Sequence, residues 1–201
     1  NYIKAKEDIT KNQTADDFCV LNYEDEVLRT FAEKCPAKVI FFSSRRVLDE
    51  GFYLDGEEIM YAHDNKTDRV INVNDLNLLG RHNYENVMAA CAMSVSIGVP
   101  MYKIVEVLKT FKAVEHRIEY VTEKRGVRFY NDSKGTNPDA AIQGIRAMNR
   151  PTLLIGGGYD KQSEYDEWIE AFDGKVKELV LIGQTADKIE ACAKKHGFNN
   201  V

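Results

Sequence analysis

No stretch of the chain approaches the roughly 18 consecutive apolar residues that a helix needs to cross a bilayer, and no signal-peptide pattern opens it. Lysine and arginine are nowhere massed into runs, and acidic residues outnumber basic ones, 32 against 27, for a net charge of −5. A nucleic-acid surface, which neutralises phosphates with a positive face, is therefore not expected. Cysteine is scarce. The four present (Cys19, Cys35, Cys91, Cys192) lie far apart, with no Cys-x-x-Cys pair and no nearby histidine at zinc spacing. That favours small buried hydrophobes in a reduced, cytoplasmic chain over a disulfide frame or a metal site. Internal repeats and low-complexity tracts are also missing. What is present, 44% hydrophobic and 29% charged residues over 201 positions, suffices for one large or two small globular domains.

Hydrophobic periodicity divides the chain. Tyr2 to Gln13 reads as a helix marked by Ile3, Ala5 and Ile9, followed by a buried strand, Asp17 to Asn22. A helix over Glu24 to Lys34 and a second buried strand, Lys38 to Phe42, complete a strand–helix–strand order suited to a parallel sheet. After Ser43 the texture changes: Phe52-Tyr53-Leu54 and Glu58 to Tyr61 flank the hairpin dipeptide Asp55-Gly56, and Arg69 to Val73 adds a third strand. Asn83 to Ile97 is apolar on nearly every face and is expected to be a buried helix, stopped by Gly98 and Pro100. An amphipathic helix bearing Ile104, Leu108 and Phe111 follows. The pattern resets around Lys112 to Glu115, giving domains over 1–114 and 115–201. The second opens with a hairpin about Arg125-Gly126, then runs as helix Pro138 to Met148, strand Thr152 to Ile155, helix Tyr165 to Phe172, strand Glu178 to Ile182 and helix Thr185 to Lys195. This is the order of a doubly wound α/β layer, with ligands expected at the carboxyl ends of its strands.

Three polar stretches stand out. Asn131-Asp132-Ser133-Lys134-Gly135-Thr136-Asn137-Pro138 follows a strand and opens a helix, so exposed helix N–H groups and a lysine charge converge as an anion site. Turn and capping duties also explain Asp132, Ser133 and Asn137, though not Lys134. Leu154-Ile155-Gly156-Gly157-Gly158-Tyr159-Asp160-Lys161 ends another strand, and its glycines permit close backbone approach or a plain tight turn. In Gly80-Arg81-His82-Asn83-Tyr84-Glu85-Asn86, Asn83 and Asn86 lie three apart at a helix start. Amides carry both donor and acceptor, which suits an adenine edge, although Asn83 also reads as a plain helix cap.

Taken together, these stretches resemble the Mur ligase family. Asn131 to Pro138 is similar to the Asp-Ser-Lys-Ala-Thr-Asn signature of its D-glutamate-adding branch, with Gly135 in place of the usual alanine. Gly80-x-His82-Asn83-x-x-Asn86 resembles the family's asparagine helix, His116-Arg117-x-Glu119 the opening of its C-terminal domain, and Gly156 to Lys161 its Gly-Gly-x-Asp-Lys loop. Tyr2-x-x-Ala5-Lys6 resembles the segment whose lysine is carbamylated in the family.

The resemblance implies an α/β architecture: the C-terminal part of a central ATP-binding domain with a small antiparallel sheet, then a Rossmann-like doubly wound domain. It also implies an ATP- and Mg²⁺-dependent, cytoplasmic, monomeric ligase of peptidoglycan synthesis with no membrane partner. Such an enzyme joins D-glutamate to UDP-N-acetylmuramoyl-L-alanine through an acyl phosphate. On this resemblance, Asn83 and Asn86 contact adenine, and Arg117 and Asp132 hold the ATP ribose or phosphates. Lys134, Thr136 and Lys161 receive the D-glutamate carboxylates and steady the acyl phosphate. Lys6, as a carbamate, becomes a metal ligand; His82 and Tyr159 receive no role. No phosphate loop of the Gly-x-Gly-Lys-[Ser/Thr] kind occurs in the chain. Both ends are therefore expected to be cut, with that loop upstream of Tyr2 and further helices beyond Val201. The alternatives are another Mur or folylpolyglutamate-type ligase, a nucleotide-binding Rossmann module without ligase activity, and a non-catalytic interaction module.

Overall fold

The computed structural model describes residues 2–201, and the chain divides into two compact units, Asn1–Lys112 and Ala113–Val201. The first holds five strands in chain order: β1 (Phe18–Asn22), β2 (Lys38–Ser43), β3 (Gly51–Asp55), β4 (Glu58–His63) and β5 (Lys66–Asn72). β1, β2 and β3 run parallel, while β3, β4 and β5 form an antiparallel meander. The parallel and antiparallel parts are therefore one continuous sheet, joined through β3. Gly51 makes that junction possible. Its φ of +114° lies outside the range of other residues, and a Cβ there would sit 2.3 Å from the Phe41 carbonyl oxygen.

Four helices accompany this sheet: α1 (Tyr2–Glu7), α2 (Glu26–Ala32), α3 (Arg81–Ser96) and α4 (Met101–Thr110). Asp25 caps α2, accepting from the Val27 and Leu28 amides at 2.8 and 3.3 Å, and Phe31 packs with Cys19, Leu21 and Ala37. α3 lies against β1, β2 and β3 and buries Val87, Met88, Cys91 and Ala92. The expectation of burial all round it needs correcting, since Met93 on α3 and its C-cap Ile97 are exposed. The first helix is also shorter than its pattern suggests. It ends at Glu7, passes into a 3₁₀ turn over Asp8–Thr10, and leaves Ile3 and Ile9 exposed. A six-residue helix with no buried face has little to sustain further turns.

The hairpin between β3 and β4 turns on Gly56-Glu57, one residue later than Asp55-Gly56, with Asp55 paired to Glu58. The β4–β5 hairpin uses Asp64-Asn65, both with positive φ, as the mirror-image two-residue turn requires. On this meander the rings of Phe52, Tyr61 and His63 stack, with centroids 4.2 and 4.3 Å apart. His63 Nε2 lies 2.9 Å from Asp68 and Nδ1 lies 3.2 Å from Asp64. The hydrogen bond to Asp68, then that to Asp64, raises the His63 pKa above its usual 6.5.

The second unit contains a β6 (Glu119–Lys124) and β7 (Val127–Asn131) hairpin, turning on Arg125-Gly126, and a parallel pair, β8 (Thr152–Gly158) and β9 (Val176–Gly183). Between and after them run α5 (Pro138–Ala147), α6 (Asp166–Glu170) and α7 (Ala186–Lys195). The element order follows the sequence pattern, but the strands make two separate two-stranded sheets. β8 and β9 are joined by the crossover through α6 and pair in parallel, while β7 pairs with β6 alone. Ile142, Ile145, Trp168, Ile169, Phe172, Leu179 and Ile189 form the core on one side of β8–β9. Leu153, Ile155 and Ile182, which alternate out of that core, are exposed.

Two outcomes follow for the first unit. Asp68→Asn should bring the His63 pKa, read from imidazole shifts in NMR, down toward 6.5. The stabilisation from this pair is present below the unfolded-state value and is lost as pH rises through the higher folded-state one. Gly51→Ala should destabilise the unit by about 2 kcal/mol or more in urea unfolding, because neither β3 nor the Phe41 carbonyl can give way without breaking the ladder.

Candidate functional site

In the second unit, the polar stretch after β7 is built largely by its own side chains. Asn131 Oδ1 accepts from the Ser133 amide at 3.1 Å, and Asn137 caps α5 by accepting from the Ala140 amide at 2.9 Å, with Pro138 at the start of the helix. Asp132 Oδ1 accepts the Ile118 N–H at 3.0 Å. Its other carboxylate oxygen lies where a Cβ on Gly135 or Gly144 would come within 2.9 and 2.7 Å. Glycine at position 135, where alanine was the expected residue, leaves this oxygen room, and an alanine there would need only a small shift of the Asp132 side chain. Asn131, Asp132 and Asn137 each accept a backbone N–H, while Lys134 and Thr136 are exposed.

The opening His116 to Glu119 is locked to the same loop. The His116 amide donates to Glu119 Oε2 at 2.9 Å, His116 Nδ1 lies 2.8 Å from Asn131 Nδ2, and the Lys134 amide donates to the His116 carbonyl at 3.0 Å. His116 and Ile118 both have positive φ, 67° and 47°. For a β-branched residue such as Ile118 this is strained backbone, and the Asp132 carboxylate holds it there. Arg117, between them, is exposed.

The glycine run is not a loop. Gly156, Gly157 and Gly158 are the last three residues of β8, and two of them are explained by packing. A Cβ on Gly156 would meet the Trp168 ring at 2.9 Å, and one on Gly157 would meet the Ile182 carbonyl oxygen at 2.0 Å. Beyond them Tyr159 is exposed, and Asp160 accepts from the Gln162 amide at 2.7 Å. Lys161 Nζ donates to the Thr136 carbonyl at 3.3 Å. Lys161 is therefore brought onto the segment that carries Lys134 and Thr136, although 25 positions separate it from Thr136. The Lys161 ammonium thus lies on the segment that carries Lys134 and Thr136 just before a ten-residue helix, residue types suited to binding carboxylates or phosphates.

In the first unit, α3 begins after Gly80, whose φ is +94°, so Asn83 is in the first turn and is not the cap. Its Nδ2 donates to the Leu79 carbonyl at 2.7 Å, leaving Oδ1 and a second N–H for a ligand. Asn86 is exposed one turn further on. Sequence reasoning missed what anchors this helix. Ser43 and Ser44, both buried at the end of β2, form a polar pair: Ser43 Oγ donates to Glu24, and Ser44 Oγ donates to Glu85. Arg81 Nη1 donates to the Ser44 carbonyl at 3.1 Å. Two serines closing an apolar strand were the available signal. Lys6 lies exposed on α1, its ammonium 5.3 Å from the Tyr2 ring centroid.

The chain is similar to known proteins over most of its length. Residues 1–94 match the Mur ligase middle domain, and residues 116–201 match the domain described as Mur ligase, glutamate ligase domain. The UDP-N-acetylmuramoylalanine--D-glutamate ligase of Lachnoclostridium phytofermentans is 57% identical over 200 residues, covering 100% of this chain and 44% of that protein. The enzyme of the same name from Lachnospira eligens is 56% identical with the same coverage. Among solved structures, UDP-N-acetylmuramate-alanine ligase from Thermotoga maritima aligns with a TM-score of 0.69 at 18% identity, over 98% of this chain and 44% of that one, a likeness of fold. The chain spans less than half the length of the curated relatives it matches. It belongs to the Mur ligase family.

Proposed function

We propose that the chain supplies part of the catalytic machinery of an ATP-dependent ligase that joins D-glutamate to UDP-N-acetylmuramoyl-L-alanine in peptidoglycan precursor synthesis. The observation that carries the reading is the Lys161–Thr136 hydrogen bond, which unites the two strand-end motifs. Whole-chain likeness to ligases named for D-glutamate supports the choice of amino acid. On this reading the two units are the central and C-terminal domains, and the enzyme is cytoplasmic. ATP would supply the phosphoryl group that turns the acceptor carboxylate into an acyl phosphate.

The part proposed for each residue rests on the family resemblance, and its surroundings support it. Lys134, Thr136 and Lys161 hold the two carboxylates of D-glutamate, whose burial without cations would be prohibitive. Fixing both carboxylates sets the amine for attack, and the Lys134 ammonium offsets charge building on the acyl phosphate oxygens. Asp132 keeps Arg117 in register through the Ile118 amide, so that the guanidinium meets the phosphates or ribose of the nucleotide. Asn83 fits an adenine edge through the amide groups that Leu79 does not use, with Asn86 beside it. Lys6 as an ammonium does not fit Mg²⁺. An ammonium has no lone pair, and Lys6 would offer oxygen ligands only once carbamylated, so no step is derived through that metal.

Two measurements bear on the reading. The 201-residue chain alone should show no ATP hydrolysis and no amide formation, because it holds no phosphate loop; turnover in a coupled phosphate-release assay would overturn that. In a ligase of its relatives' full length, Lys161→Ala should raise the KM for D-glutamate about tenfold or more with little change for ATP. Lys134→Ala should also cut kcat by about a hundredfold. A silent Lys161→Ala, or acceptance of another amino acid in preference to D-glutamate, would sink the assignment.

A further inference from the structure

On the helical side of the second unit, polar side chains from α6 and the end of α7 converge away from the strand-end motifs. Cys192 lies on α7 and His196 is its C-cap, four positions on, so both occupy one face. Asp166 and Glu170 are likewise four apart on α6. Ligand atoms of Asp166, Cys192 and His196 all lie within 4.8 Å of one another, and all three residues are half-buried. His196 Nε2 is 2.8 Å from Asp166 Oδ1, while Nδ1 faces Glu170 Oε1 at 3.7 Å. Lys195 Nζ also approaches Asp166 Oδ1, at 2.7 Å.

We propose that Asp166, Cys192 and His196 form a binding site for a divalent transition metal, Zn²⁺ in the first place, with Glu170 orienting the His196 ring. A thiolate, an imidazole and a carboxylate make a borderline-soft donor set that suits zinc and disfavours Mg²⁺ or Ca²⁺. Bond lengths of about 2.0–2.3 Å around a tetrahedral zinc put ligand atoms about 3.3–3.8 Å apart. The His196–Asp166 pair must open slightly and the thiol close in, both movements of side-chain scale. With Nε2 on the metal, the Nδ1–H points at Glu170, the carboxylate–histidine–metal arrangement that fixes tautomer and ring. Cys192 Sγ gives up its proton to solvent as the metal–sulfur bond forms, and a water fills the fourth position. Lys195 stays as counter-charge to Asp166. Cys192 and His196, four positions apart, correct the expectation that no cysteine has a histidine at zinc spacing. Only the fold brings Asp166 to them.

A bound ion would pin α6 to α7, the two helices that bring Trp168, Ile189 and Ala193 to the core of this unit. The plain alternative is a surface ion pair between Asp166 and its two basic neighbours, which binds no metal. Cobalt(II), titrated into the reduced, chelator-treated chain, separates them. The expected result is saturation near one equivalent with a thiolate-to-cobalt charge-transfer band, displaced by Zn²⁺. Cys192→Ser should abolish that band, His196→Gln should weaken binding by at least a hundredfold, and Glu170→Gln by about tenfold. Absence of the band, or a band unchanged in Cys192→Ser, overturns the proposal. Should Cys192→Ser prove unfolded by circular dichroism, His196→Gln decides, and undiminished affinity in that variant overturns it equally.

Discussion

The Asp132 carboxylate is the point at which three segments of the second unit meet. It takes the Ile118 N–H, lies against the bare backbone of Gly135, and is closed from behind by Gly144 on α5. Glycines at 135 and 144 leave room for that carboxylate, and the Ile118 N–H reaches it from left-handed backbone. The Ile118 N–H on this carboxylate and the Lys134 N–H on the His116 carbonyl tie the segments carrying Arg117 and Lys134 to each other. A site that must stabilise charge on a short-lived intermediate gains from dipoles and cations already in position, with little reorganisation left to do.

The same loop shows how structural and chemical duties are divided among neighbouring polar residues. Asn131, Asp132 and Asn137 satisfy backbone N–H groups that a strand end and a helix start would otherwise leave unpaired. Lys134 and Thr136 are left facing solvent, and Lys161 arrives from the next strand to join them. The glycines before Lys161 act through packing, one under the Trp168 ring and one against the β9 backbone. Their contribution to a ligand site is indirect: they set where β8 ends, and so where Lys161 begins.

Much of this was legible in the sequence. Apolar alternation and turn dipeptides located nearly every strand and helix of both units, and Pro138 behind Asn137 marked the start of α5 without ambiguity. Short-range signals failed where tertiary contacts decide. The pattern over Tyr2 to Gln13 promised a longer helix than an unpacked segment sustains, and Met93 and Ile97 looked buried because periodicity cannot say which face meets the sheet. The Ser43–Glu24 and Ser44–Glu85 hydrogen bonds, and the meeting of Asp166 with His196, join residues 19 to 41 positions apart. No local spacing encodes such pairs. The glycine run was read as a loop for the opposite reason: its local chemistry permits a turn, and only the neighbouring strand converts it to ladder.

The change of strand sense at β3 also divides the first unit in time. The β3–β4–β5 meander is closed by two loops of two residues each, so its ladders can form on the roughly microsecond scale of isolated hairpins. The parallel ladders of β1 and β2 need α2 and the long connection after Ser43 to close first, and parallel pairing repays that closure entropy late. The meander is thus the natural template on which the parallel strands condense. Gly51, at the seam, is where a slow half of the sheet is stitched to a fast one.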